Sequence, residues 1–353
     1  MHQLFLCNAG GYGKTVTALC VAAQMKVKCL LVTHTAVLAK QWRESIIQYC
    51  PSAVIGQIVQ DKFEVEGCTH VIGSLQTLAK RDYSEQMETA GFGLLCVDEG
   101  HHISAVCMSN AVSMVGCRYR LLLSATPQRA DGLSPFLTMA FGPTLYEVKR
   151  PPSQDLRVYC VHLDDGPIMT MHTRGRNPSV NISGMVNLLT KTSLRAQQRQ
   201  QVALEWIQMA LSAGRQILVI GDRIQLLKNL EEMVRSHCTT GFLIGSAKPA
   251  EREAARTANV IFGSYSCCAE GLDIADLDTL LLLTPRSGVN CIEQCVGRLL
   301  RSGGSWPLCI DLIDDEPTFL GMSRKRIKLF RKMGAKITHY NERKEVIMEG
   351  LPG

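Results

Sequence analysis

The chain has 353 residues, 46% of them hydrophobic and 20% charged, and a formal net charge of +6. That is enough for two domains with their own cores, and the mild positive excess permits a polyanionic partner without demanding one. No apolar run approaches the length needed to cross a bilayer, which excludes a membrane-spanning helix. The fifteen cysteines form no Cys-x-x-Cys pair, and Cys291 and Cys295, four apart, lack a second ligand pair. Free thiols in a reducing, intracellular compartment are expected, without disulfides or structural zinc. The opening MHQLFLC has no basic stretch of the kind that starts a signal peptide.

In chain order, HQLFLC (2–7) reads as a strand, followed by KCLLVT (28–33), THVIGS (69–74), GLLCVD (93–98) and YRLLLSAT (119–126). A second group comprises RQILVIGD (215–222), NVIFGSY (259–265), DTLLLLTP (278–285) and PLCIDLID (307–314). These runs are apolar at successive positions, which suits strands buried on both faces of a parallel sheet. Helix-like stretches alternate with them, so the fold class expected is α/β. Pro, Gly and polar residues gather between the groups. The organisation expected is a first domain over 1–150, a connector over 151–190, a second domain over 191–335 opened by a helix at about 193–213, and a tail over 336–353.

The stretch CNAGGYGKT (7–15) ends in the Gly-Lys-Thr of a phosphate-binding loop, but Asn8 stands where the full pattern has its first Gly. The run GLLCV is followed by Asp98, Glu99, Gly100, His101 and His102. Two acids at a strand end suit nucleotide hydrolysis, one for magnesium and one to take a proton from water. In isolation such a pair is more often a solvated turn, and the Gly-Lys-Thr loop upstream changes that balance. Arg298 and Arg301 are three apart and share one helix face, where both can reach a phosphoryl group or simply form a solvated basic face.

The ordered set GGYGKT, HTAVLAKQW (34–42), GSLQTL (73–78), VDEGHH, LLLSATPQRADGL, ILVIGDR, AEGLDI and QCVGRLLR resembles the motif series of superfamily-two helicases of the DExH kind. DEGHHISA, SATPQRADGL and LDTLLLLTPRSGVNCIEQCVGRLLR look most like the XPB-type branch, with its small relatives in large DNA viruses and phages. The resemblance covers about residues 8–335. It implies two RecA-like P-loop domains in tandem, each a mainly parallel sheet flanked by helices. It further implies a DNA helicase or double-strand DNA translocase driven by ATP and Mg2+. An RNA helicase, or an ATP-binding nucleic-acid clamp with little turnover, stands as the alternative.

By the same resemblance the phosphate loop is Ala9-Gly10-Gly11-Tyr12-Gly13-Lys14-Thr15, in which Lys14 contacts the β- and γ-phosphates and Thr15 binds magnesium. Asp98 holds magnesium and Glu99 is the general base. His101 couples the site to Gln294, and Arg298 and Arg301 act as arginine fingers. Asp273 meets the ribose on a turn shaped by Gly271, and Ser124 and Thr126 link nucleotide state to nucleic-acid grip. Thr35, Gln76, Thr77, Arg223, Gly245 and Ser264 match positions that touch the sugar-phosphate backbone in relatives, and the contact expected is independent of sequence. Arg324, Lys325, Arg326, Lys328, Arg331 and Lys332 either add phosphate contacts or form a solvated helix face. Relatives carry an adenine-reading glutamine upstream of the loop. Only thirteen residues precede Lys14, so weak ATP binding and little discrimination among bases are expected.

Overall fold

A computed structural model describes residues 2–8, 13–100, 109–110, 112–124, 134–148, 152–153, 155–164, 170–173, 179–190, 194–269, 274, 277–300 and 306–349. Gly10, Gly11, His101, Thr126, Gly271, Asp273 and Arg301 lie outside them. The chain divides into two compact units, Met1–Arg150 and Pro151–Gly353.

The first unit is built on the strands β1 (His2–Asn8), β2 (Cys29–Thr33), β3 (Ile55–Val59), β4 (Lys62–Glu64), β5 (His70–Ser74), β6 (Leu94–Asp98), β7 (Tyr119–Ser124) and β8 (Thr144–Val148). Their order is β4-β3-β5-β2-β6-β7-β1-β8. Every pairing is parallel except the β3–β4 hairpin. Strand β2 shows why the sequence runs apolar without alternation. Leu30 and Val32 enter the core on one face, Cys29 and Leu31 the core on the other. Helices cover both faces, so neither set of side chains can be polar.

The second unit repeats this plan with β9 (Arg157–Leu163), β10 (Gln216–Gly221), β11 (Thr240–Leu243), β12 (Val260–Ser264), β13 (Leu277–Leu282), β14 (Leu308–Asp314), β15 (Lys336–Tyr340) and β16 (Val346–Glu349). The order is β11-β12-β10-β13-β14-β9-β15-β16. Omitting β4 and β16, the two sheets share one topology. In both, the first strand of the unit is inserted between two late ones, as β7-β1-β8 and β14-β9-β15. Ile217 and Val219 of β10 face one core, Leu218 and Ile220 the other.

Two expected boundaries change. The stretch 151–190 is no mere connector. It supplies β9, paired on both sides, and the helix Ile182–Thr190. The tail 336–353 supplies β15 and β16. Strand β9 escapes notice because Pro and Gly crowd the sequence around it, and β15 because its residues Lys336–Tyr340 are half polar. The helix expected at 193–213 is Leu194–Ser212. Among the described residues no helix is long and apolar enough to cross a membrane.

Candidate nucleotide and nucleic-acid site

Strands β6, β7 and β1 are neighbours, and their carboxyl ends carry the chemically loaded residues of the first unit. Asp98 pairs in register with Leu123, and Ser124 with Cys7. In parallel sheets the crevice beyond these ends is where ligands bind. Gly13 caps the helix Lys14–Met25 at φ 70°, a left-handed conformation that glycine adopts without steric cost. No acidic side chain occupies that helix's first turn, so its positive end is available to an anion.

Lys14 and Glu99 meet directly. The ammonium Nζ lies 2.5 Å from Glu99 Oε1, with both side chains largely shielded from solvent. Glu99 takes φ 50°, uncommon outside glycine, and so turns sharply as it leaves β6. Asp98 is buried, and Trp42 Nε1 donates to its Oδ2 at 2.9 Å. Burial and the adjacent Glu99 charge push the Asp98 carboxyl up to about 6, against the opposing pull of Lys14 and the Trp42 donor. The Asp98 carboxylate and the Thr15 hydroxyl are hard oxygen donors of the type that suits magnesium.

In the second unit Gln294 and Arg298 lie one turn apart on the helix Val289–Leu299. The Gln294 Oε1 is buried with no hydrogen-bond partner among the described residues. Arg298 donates to the Cys268 carbonyl in the helix Tyr265–Ala269. The loop that leads into the arginine-bearing helix is held at several points. Arg199 donates to Leu283 O and Tyr265 to Thr284 O, at 2.8 and 2.9 Å. Arg326 donates to Arg286 O at 2.8 Å, and Arg286 pairs with Asp222 at 3.0 Å. Arg199 and Arg326 are buried and bound in turn to Asp314 and Asp311.

Residues 2–129 match the family described as Type III restriction enzyme, res subunit. A protein of Acanthamoeba polyphaga mimivirus named as an ATP-dependent RNA helicase, L396, is 29% identical over 351 residues, 97% of this chain. The chain is thus similar to helicases of large DNA viruses and phages over nearly its whole length. The chain is also 26% identical over 237 residues, 62% of its length, to XPB of Encephalitozoon cuniculi. That protein is named as the helicase/translocase subunit of general transcription and DNA repair factor IIH. The present chain spans 65% of the length of the mimivirus protein and 34% of that XPB. Among solved structures, Saccharomyces cerevisiae Dbp5 shares the fold at a TM-score of 0.68 and 12% identity, covering 97% of this chain and 86% of Dbp5. Both sheets are thus those of tandem RecA-like domains.

The residues expected to contact a nucleic-acid backbone sit in different surroundings. Thr35 and Gln76 line a cavity of about 310 Å³ with Lys40, Arg43 and Ser74 at the carboxyl edge of β2, β3 and β5. Thr35 also caps the helix Ala36–Tyr49, accepting from Leu38 N. Gln76 donates to His34 O at 2.6 Å and accepts from Ser74 Oγ. Thr77 is buried, and its hydroxyl accepts from Gln60 N at 3.0 Å, which braces the β3 end. The Arg223 guanidinium donates to Asn187 Oδ1 and to the hydroxyl and carbonyl of Ser183, and ties the end of β10 to the helix Ile182–Thr190. Gly245 is exposed and its carbonyl accepts from Arg252. Ser264 ends β12 and its hydroxyl accepts from Cys267 N. Arg326 leaves the basic cluster for the core, because Asp311 waits there for it.

Trp42 carries no role in the sequence reading. Its spacing with Leu38 and Ile46 is that of an ordinary buried helix face, and nothing in the pattern signals where its N–H goes.

Proposed function

We propose that the chain is a nucleic-acid-stimulated ATPase acting as a DNA helicase or double-strand DNA translocase. The observation that carries this reading is the Lys14–Glu99 pair, set beside buried Asp98 at the carboxyl ends of adjacent strands. A lysine there grips phosphate oxygens, and the glutamate takes the proton of the attacking water. Asp98 and Thr15 hold Mg2+, which when bound offsets the phosphate charge. Gln294, whose amide oxygen lacks a donor among the described residues, and Arg298, with Arg301, are the residues of the second unit that serve hydrolysis in this reading. His101 is the proposed partner of Gln294, Gly10 and Gly11 complete the phosphate loop, Gly271 and Asp273 serve the ribose, and Ser124 and Thr126 relay nucleotide state.

Thr35 and Gln76 in the first unit, with Gly245 and Ser264 in the second, meet the sugar-phosphate backbone. Backbone contacts carry no sequence information, so binding is independent of sequence and falls with salt. RNA is the second reading, since the mimivirus relative is named as an RNA helicase. The test is ATP hydrolysis measured with single-stranded DNA, double-stranded DNA and RNA at matched nucleotide concentration. Stimulation by DNA above RNA is expected. Greater stimulation by RNA transfers the assignment to RNA, and no stimulation by any of the three overturns it.

A further inference from the structure

The helix Ala36–Tyr49 has two working faces. One end of it, through Thr35, Lys40 and Arg43, lines the 310 Å³ cavity shared with Ser74 and Gln76. The cavity thus offers two positive charges and neutral polar groups, the mixture that suits a phosphodiester backbone. The opposite face, Leu38, Trp42 and Ile46, is buried. Trp42 and Ile46 pack in one core with Ala18, Leu19 and Ala22 of the helix that begins at Lys14. From this face the Trp42 indole donates to Asp98 Oδ2 at 2.9 Å, bridging 56 residues of sequence.

A tryptophan needs only one partner for its N–H, and a backbone carbonyl would satisfy it. Here the partner is the buried carboxylate at the end of β6. An indole locked in a close-packed core cannot reorient independently of its helix. A small shift of the helix at its cavity end must therefore be felt at the carboxylate, and the converse holds as well.

Resting on the function proposed above, we infer that Trp42 is a positioning residue through which the Thr35–Gln76 cavity acts on Asp98. A nucleic-acid backbone seated against Thr35, Lys40 and Arg43 fixes the helix. The fixed helix aims the indole N–H, and the N–H sets the Asp98 carboxylate in the orientation that suits a magnesium–nucleotide complex. Nucleic acid and nucleotide are in this way coupled inside the first unit alone. The coupling is reciprocal, as any linkage of two binding equilibria must be.

The test uses the full chain with Trp42→Phe, which removes the donor and keeps an aromatic ring in the core. Hydrolysis is measured with and without DNA, and nucleotide binding is titrated with Mg2+. The expected result is roughly a tenfold loss of DNA stimulation, the size of one hydrogen bond worth about 1.4 kcal/mol. The magnesium needed for half-maximal nucleotide binding should rise, while DNA affinity changes less than threefold. A merely structural loss would lower all of these together.

The second arm needs no change at Trp42. Full-length chain labelled with 5-fluorotryptophan has three resonances, from Trp42, Trp206 and Trp306. Trp206→Phe and Trp306→Phe identify the remaining one as Trp42. DNA added without nucleotide should shift the Trp42 resonance, and so should magnesium–nucleotide without DNA. If Trp42→Phe is stimulated by DNA as fully as the parent, or if DNA leaves the Trp42 resonance in place, the inference is wrong while the ATPase reading survives. If the parent itself shows no stimulation by any nucleic acid, both fall together.

Discussion

Lys14 Nζ and Glu99 Oε1 stand 2.5 Å apart across 85 residues of chain, so the proposed phosphate-gripping group and the proposed base neutralise one another. In the proposed mechanism phosphate oxygens compete for the same ammonium, and their arrival releases Glu99 for water. Glu99→Gln is therefore expected to abolish hydrolysis while binding ATP at least as tightly as the parent. Lys14→Ala should lose both. Binding of a fluorescent ATP analogue, beside steady-state hydrolysis, checks the pair. Most of the parental rate surviving in Glu99→Gln would remove Glu99 as the base.

Arg298 is held by the Cys268 carbonyl, and Cys268 in turn packs on Gly263. A Cβ at Gly263 would lie inside contact distance of Cys268 Sγ, with Leu243 O at 3.3 Å. Gly263→Ala should displace the helix Tyr265–Ala269 and cost about 1–3 kcal/mol, the range for an overpacked core. Hydrolysis should fall with it, because the Arg298 anchor moves. Arg298→Ala should instead leave stability near the parent and cut hydrolysis at least tenfold, with ATP binding retained. Denaturant melts and turnover measured together separate the two.

The buried Arg326–Asp311 pair has side chains exposed by only 2% and 1%. Removing one partner strands a charge in the core. Arg326→Met or Asp311→Leu alone should each destabilise the second unit by about 3–5 kcal/mol. The double variant should lose less than the sum of the singles, since neither charge is then left alone. Urea unfolding of the four chains gives the comparison directly.

His162 and His339 are stacked in neighbouring strands, with Nε2 of one 2.8 Å from Nδ1 of the other. One ring must donate and the other accept, so the pair cannot be doubly protonated and keep its bond. Burial holds both rings below the usual imidazole range, with Asp311 and Asp315 opposing this at His162. The unfolded rings titrate near 6.5, so the unfolded chain binds more protons in this window. Stability present above pH 6.5 should be lost as pH falls through the folded values. A thermal melt series from pH 7.5 to 5 should show the decline, and a His162→Gln/His339→Gln chain should flatten it. Unchanged slope in that chain would show that other groups carry it.

Strands with both faces buried were open to reading from sequence alone. β2, β5, β6, β7, β10, β12, β13 and β14 all announce themselves as continuous apolar runs. Strands toward the sheet margins do not. In β3 burial alternates, in β4 it is slight, and in β16 the apolar Val346, Ile347 and Met348 stay exposed, so none of these strands carries the long two-faced apolar run that marks the others. Lys14, Asp98, Glu99 and Arg298 could be singled out as candidates because each sits in a short local motif. Trp42 and Arg326 could not. The first hides in ordinary core spacing, the second in a run of surface charges. What distinguishes each is a carboxylate far away in sequence, and periodicity carries no information about such a partner.

The insertion of each unit's first strand between two late ones sets a timetable for synthesis. Arg157 pairs with Leu308 on one side and Lys336 on the other. At typical ribosomal rates of roughly 5–20 residues per second, β9 spends on the order of ten to thirty seconds without either neighbour. During that interval its apolar residues Val158, Cys160 and Val161 have no sheet to enter. The first unit can close as soon as β7 and β8 emerge, well before the second. Nascent chains stalled just short of residue 308 should thus display a finished first unit followed by an adhesive, unpaired strand, the form of this protein most in need of a chaperone.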